Sequence, residues 1–205
     1  MDLLNSLVAQ TISGFTNAMF LFIMASGLSL IFGVMRILNF AHGSLYMFGA
    51  YLSYQLTSWL GGGSNTTFFL AALGAATLVA ILGVLIERLF FTRLYDKPEL
   101  NQLLFTYAIV LGGGDLVKWI WGTEQLAVRR PQALAGSLSL LGTTVPVYSL
   151  FISATGLVLA VGIWSLLTYT GIGRIIRAAA LDREMLQLLG VDVRRVFTLV
   201  FASGA

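Results

Sequence analysis

Three stretches of this sequence gather residue types able to do chemistry: Arg36, Asn39, His42 and Gly43 with Ser44; Asp115 with Lys118; and a charged run with apolar interruptions from Arg177 to Gly190. His42 is the only histidine. No acidic residue lies near it in sequence, so a structural or interfacial role outweighs a proton relay. Ser44 lacks the Gly-x-Ser-x-Gly elbow that would expose a nucleophile. Asp115 and Lys118 share one helical face beside Trp119 and Trp121, and read as a snorkelling or mutually paired couple near a helix end. With no cysteine, no paired carboxylates and no metal-ligand spacing, no catalytic residue and no metal site is assigned, and an intramembrane enzyme is disfavoured. No Gly-x-x-x-x-Gly-Lys-Ser/Thr loop is present to cradle nucleotide phosphates. Any energy from ATP must therefore enter through another subunit.

The elements that position these residues belong in a bilayer. Hydrophobic residues make up 58% of the 205 positions and charged residues 10%, with a mean hydropathy of +0.88. A soluble domain carries about 25% charge, so this chain cannot cover a water-facing surface. Crossing the hydrocarbon takes roughly 20 apolar residues. Spans are expected near residues 7–34, 42–60, 67–89, 100–121 and 147–169, and a sixth begins near 196. The fold class is all-α, a polytopic bundle of transmembrane helices, with residues 171–195 as a polar loop. The sixth run is still apolar at Ala205, and the expectation is of a C-terminally truncated chain. Met1 to Gln10 holds no basic residue and so lacks the positive region of a cleaved signal peptide.

Lys and Arg mark the cytoplasmic side. With the N-terminus outside, Arg36, Arg88, Arg93, Lys97, Arg174, Arg177, Arg183, Arg194 and Arg195 lie inside, against Lys118, Arg129 and Arg130 outside. Because these cations sit between apolar runs and form no stripe with aromatics, they are topology signals and not a nucleic-acid footprint. Trp59, Trp119 and Trp121 fall at outer helix ends, where amphipathic rings settle. Gly61 to Asn65 forms an outer turn and Asp96 to Pro98 an inner break. Within the longest outer connection, Gly122 to Pro146, the alternation at Leu138 and Leu140 and the Gly142-Thr143 pair hint at a short hairpin.

Two segments say more than membrane. In GLSLIFGVMRILNFAHGSLYMFGAY, Gly27 to Tyr51, glycines at 27, 33, 43 and 49 predict a tightly packed helical hairpin. Arg36, Asn39 and His42 are placed to bond backbone groups left open at its inner turn. In TGIGRIIRAAALDREMLQLLGVDVRRV, Thr170 to Val196, two helices are expected. The first runs inward through Arg174 to Ala180. The second takes Asp182 as N-cap, Glu184 in its first turn, Met185, Leu186, Leu188 and Leu189 as an apolar face, and Gly190 as its stop. Its polar face is less basic than that of helices lying on lipid, which favours a protein partner.

The stretches IFGVMRILNFAHGSLYMFGAY and RAAALDREMLQLLGVDVRRVF resemble the LivH-type permeases, the membrane subunits of branched-chain amino-acid ABC importers in bacteria. The similarity runs from about residue 7 to 205. It implies an inner-membrane permease paired with a LivM-type second permease, two cytoplasmic ATPases that hold ATP and magnesium, and a periplasmic amino-acid-binding protein. This chain itself would carry no cofactor. The resemblance also implies that Arg177, Ala178 and the residues through Gly190 are the element that fits a groove on an ATPase. A urea-transport branch shares the architecture, but Arg36 and Phe40 follow the branched-chain version of the motif. The competing class, an ion-coupled secondary transporter, needs ionisable groups at membrane depth. Asp115 is the one acidic candidate read there, with the glycines at 112 to 114 as either a helix break or packing sites. Arg129 and Arg130 are candidates for docking an acidic lobe of the binding protein. Substrate contacts are not assigned.

Overall fold

The computed structural model describes residues 2–62, 64–95, 97–128, 130–140 and 143–205. Its elements follow the apolar runs. α1 (Asp2–Met35) and α2 (Ala41–Trp59) are joined by a short irregular turn. α3 (Asn65–Ile86) opens on Ser64, whose Oγ accepts the Thr67 N–H at 3.1 Å. It continues through a π-helical turn (Glu87–Phe91) and α4 (Thr92–Leu94), forming with them one rod of 30 residues. α5 (Glu99–Trp121) starts after Pro98, which lacks the N–H that a first turn leaves unpaired. It runs unbroken through Gly112 to Gly114. Only Gly113 of the three has a close neighbour, the Phe48 ring.

A hairpin of β1 (Ser137–Leu140) and β2 (Thr143–Pro146), paired antiparallel with Leu138 opposite Val145, leads into α6 (Val147–Tyr169). Residues 141 and 142 at its tip lie outside the described set. α7 (Gly171–Leu181), α8 (Arg183–Leu188) and α9 (Val193–Gly204) complete the chain. The fold is an all-α helical bundle, and four of its rods, Asn5–Met35, Asn65–Leu94, Glu99–Trp121 and Val147–Tyr169, are long and apolar enough to cross a membrane. Their outward side chains, such as Leu21, Leu73 and Val158, are exposed leucines and valines, as a lipid-facing surface requires.

α2 is not among those four. Three tyrosines and Ser44, Ser53, Gln55, Thr57 and Ser58 dilute its apolarity. Its 19 residues still span about 28 Å at 1.5 Å each, close to the thickness of the hydrocarbon core. It packs against α3 and α5, with Thr57 bonded back to the Ser53 carbonyl and Gln55 taking the Trp121 indole N–H at 3.0 Å.

The expected tight hairpin of α1 against α2 is not what the glycines build. α1 packs instead on α6 and α9. A Cβ on Gly27 would collide with the Gly204 carbonyl oxygen, and one on Gly204 would lie 2.8 Å from the Gly27 oxygen, so these two backbones touch where α1 crosses α9. Gly33 and Gly43 meet nothing, and Gly49 faces Val79 of α3. The glycine pattern foretold close approach, and at Gly27 the His42 ring of α2 does come within 3.0 Å of a Cβ. The backbone that fills its place is nevertheless that of α9, because a missing Cβ says nothing of which helix packs there.

The core sits at the end of the bundle that carries Arg36. α9 buries Val193, Val196, Phe197, Val200, Phe201 and Gly204, spaced three and four apart on one face, between α1 and the α3 rod. The first expected inner helix does not simply prolong α6. Thr170 is extended, its Oγ1 accepts the Gly173 N–H at 3.0 Å, and a new helix starts at a sharp corner. The corner needs Gly173, since a Cβ there would strike the Leu166 carbonyl.

Candidate functional site at the arginine-bearing end

The Arg177 to Gly190 segment folds as a helix, a one-residue break and a short second helix. Asp182 caps α8, its Oδ1 accepting the Met185 N–H at 2.9 Å, and Glu184 sits in the first turn, where a negative charge suits the open N–H groups. Gly190 ends it at φ +82°, a conformation only glycine adopts cheaply. The expected single apolar face is divided. Leu186 is buried against the core, while Met185, Leu188 and Leu189 point outward with Leu181 of α7, Leu188 being 83% exposed. Leu186 anchors the helix and the other four present an apolar surface. Arg177 is exposed and Ala178 half-buried on α7.

The turn before α2 is tied to this segment by one cation. Arg36 stands at φ +54°, closing α1 in the left-handed region at a cost of order 1 kcal/mol for a non-glycine residue. Its Nη2 donates to the Ala180 carbonyl at 3.2 Å, one of the open oxygens at the end of α7, where positive charge is favoured. Arg36, Tyr95, Lys97, Glu99, Gln102 and Asp182 to Glu184 line a polar cavity of about 500 Å³ between the turn, α5 and α8.

His42 and Asn39 depart from expectation. His42 Nε2 lies 3.0 Å from the Met24 carbonyl, well inside α1 and not at a helix end. Asn39 is 3% exposed, and neither its Oδ1 nor its Nδ2 has a partner; His42 Nδ1 is likewise buried and unpaired. Gly43 is exposed with open space about it.

At the opposite end, Lys118 Nζ and Asp115 Oδ1 pair at 3.2 Å, with side chains 63% and 80% exposed. Trp59 and Trp119 are exposed at helix ends, but Trp121 turns in to Gln55 and Tyr51. Arg130 stacks over the Tyr148 ring at 5.0 Å. Arg129 lies outside the described residues.

Asp115 is not the acidic residue that the bundle encloses. Glu87, the first residue of the π-helical turn, is 0% exposed. Its Oε1 accepts the Tyr95 hydroxyl at 2.5 Å and its Oε2 the Thr198 hydroxyl at 2.8 Å. Burial first, and then the bond to Glu87, hold the Tyr95 phenol well above the ordinary tyrosine range, so it stays a donor. Sequence reasoning passed over Glu87 because Arg88 beside it marked a helix end. The signal was there: Ala71, Ala75, Val79, Gly83, Glu87 and Phe91 recur every four residues and are all buried.

The sequence matches the family of branched-chain amino acid transport system permease components over residues 10–205. The chain belongs to that family. It is 26% identical over 203 residues to the high-affinity branched-chain amino acid transport system permease protein LivH of Salmonella typhimurium, covering 96% of this chain and 66% of the relative. The same figures hold for LivH of Escherichia coli K12. The permease protein BraD of Pseudomonas aeruginosa is 26% identical over 205 residues, with the same coverage. The chain thus spans 66% of the length of the curated relatives it matches. No solved structure matches it significantly. Family and apolar helices together make this a multi-pass membrane protein.

Proposed function

We propose that the chain is a transmembrane permease subunit of an ATP-binding-cassette importer that carries branched-chain amino acids across a bacterial inner membrane. The observation that carries the mechanism is α8. A capped helix is anchored by Leu186 alone and offers Leu181, Met185, Leu188 and Leu189 outward beside Arg177 and Glu184. An apolar patch rimmed by charge is what a protein groove accepts. In this reading one of two cytoplasmic ATPases, which hold ATP and magnesium, docks on that patch. A LivM-type second permease completes the pathway, a periplasmic amino-acid-binding protein delivers substrate, and the N-terminus of this chain faces the periplasm. ATP-driven closure of the ATPases shifts α7 and α8. The Arg36 bond to Ala180 then passes the shift to α1, and the bundle moves between outward-open and inward-open states. Each ligand biases only an equilibrium to which it binds unequally, so ATP and the loaded binding protein must favour related states.

The test is co-purification of the full-length protein with its ATPases. Wild type should retain an ATPase and Leu188→Asp should lose it, since a charge in an apolar groove goes unpaired. Wild type that retains none contradicts the proposal.

A further inference from the structure

The Glu87 carboxylate sits where the α7–α9 segment meets the membrane-crossing rod, and the bonds it makes are of a kind that can transmit force. α8 leads into α9 through a short turn in which the Val191 N–H bonds the Leu186 carbonyl at 3.3 Å. Leu186 and the first residues of α9 share one core, so a shift of α8 reaches α9. Along the rod α9 touches Gly83, where a Cβ would come 3.3 Å from the Phe201 ring, and Phe91, whose ring lies 5.4 Å from that of Phe201. Apolar contacts of this sort are non-directional and allow sliding. Among the described residues, the one side-chain hydrogen bond between α9 and the rod is Thr198 Oγ1 to Glu87 Oε2.

Three features suit that bond to carrying movement. Its acceptor is fully enclosed, and a bond in low-dielectric surroundings is stronger than one in water. Tyr95, just past the end of the rod, holds the other carboxylate oxygen, so the group is held from both sides. The acceptor begins a π-helical turn, where the Thr92 N–H reaches back five residues to the Glu87 carbonyl and the helix carries one more residue than a regular turn. The bond can also be exchanged. The Thr198 hydroxyl has one proton and a second acceptor in reach, the Arg194 carbonyl at 3.0 Å, so release from Glu87 leaves the donor satisfied.

We infer that Glu87 is a positioning residue: with Tyr95 and Thr198 it forms a releasable joint that passes movement of α7–α9 into the α3 rod. This rests on the reading of the chain as an ABC permease subunit. The experiment is uptake of radiolabelled leucine per ATP hydrolysed, in liposomes holding the full-length chain with its second permease and ATPases and supplied with the binding protein. Thr198→Val keeps the shape and removes the hydroxyl. It should assemble and hydrolyse ATP as wild type does, while leucine moved per ATP falls about fivefold, the scale of one lost hydrogen bond. Thr198→Ser should restore the ratio, and Glu87→Gln combined with Thr198→Val should lower it no further than Thr198→Val alone. An unchanged ratio in Thr198→Val, equal loss in Thr198→Val and Thr198→Ser, or a further fall in the double variant overturns the joint. Wild type that takes up no leucine with ATP is a distinct failure, which removes the functional reading and the joint with it.

Discussion

Two acidic residues, Glu87 and Asp115, each lie in or at the end of a rod apolar enough to cross a membrane, and the bundle treats them in opposite ways. Asp115 is exposed and holds a lysine three residues on in its own helix. Glu87 is enclosed, has no cation within ion-pair distance among the described residues, and is held by two hydroxyls, one of them from another helix. A pair made within one helical turn stabilises that turn and little else. A carboxylate satisfied from two elements fixes their relation, because losing either partner leaves a buried polar group short of a bond. The residue with the larger consequence is the one with a partner distant in sequence.

That contrast is open to attack by substitution. The largest effect should come from Glu87→Ala, which strands the half-buried Tyr95 hydroxyl and opens a cavity. A loss of about 3 kcal/mol is expected, from roughly 1–3 kcal/mol for the unpaired group plus the cavity, read as a lower unfolding temperature in detergent. Next, Gly27→Val drives side-chain atoms into the Gly204 backbone. Overpacking of about 1–3 kcal/mol should unseat α9 and make it the first segment cut by limited proteolysis. Arg36 falls between the extremes, since it is exposed yet bonded to the end of α7. Both Arg36→Ala and Arg36→Gly lose that bond, but only glycine relieves the positive φ, so the alanine variant should be the less stable by about 1 kcal/mol in the same melting assay. Asp115→Asn should matter least, under about 1 kcal/mol, as for exposed pairs generally. If Asp115→Asn destabilised as much as Glu87→Ala, the contrast would collapse.

Much of the fold was written in local signals. Continuous apolar runs marked α1, α5 and α6, and the Asp182 cap and Gly190 stop of α8 follow from backbone chemistry confined to a few residues. What escaped depends on tertiary partners. The glycines at 27 and 49 announce close approach without saying to α9 and to α3. Leu186 and Leu188 differ only in which side of a six-residue helix meets the core, and a helix that short has no periodicity from which to tell. Glu87 was hidden because Arg88 follows it and together they look like the wet end of a helix. A strict four-residue spacing overshoots a full turn by about 40° each time, so the buried line from Ala71 winds from α2 toward α9. That winding places the carboxylate inside. It is visible in the sequence only to a reader who already knows that two different helices cover the rod.

The central claim is that the exposed side of α8 is a docking surface for an ATPase. A photo-crosslinking amino acid placed at Leu188, with Trp119 at the other end of the bundle as control, tests it in membranes holding the full-length complex. The account predicts an adduct with the ATPase from position 188 and none from 119. An adduct from 119, or none from 188 in a complex that hydrolyses ATP, would contradict it.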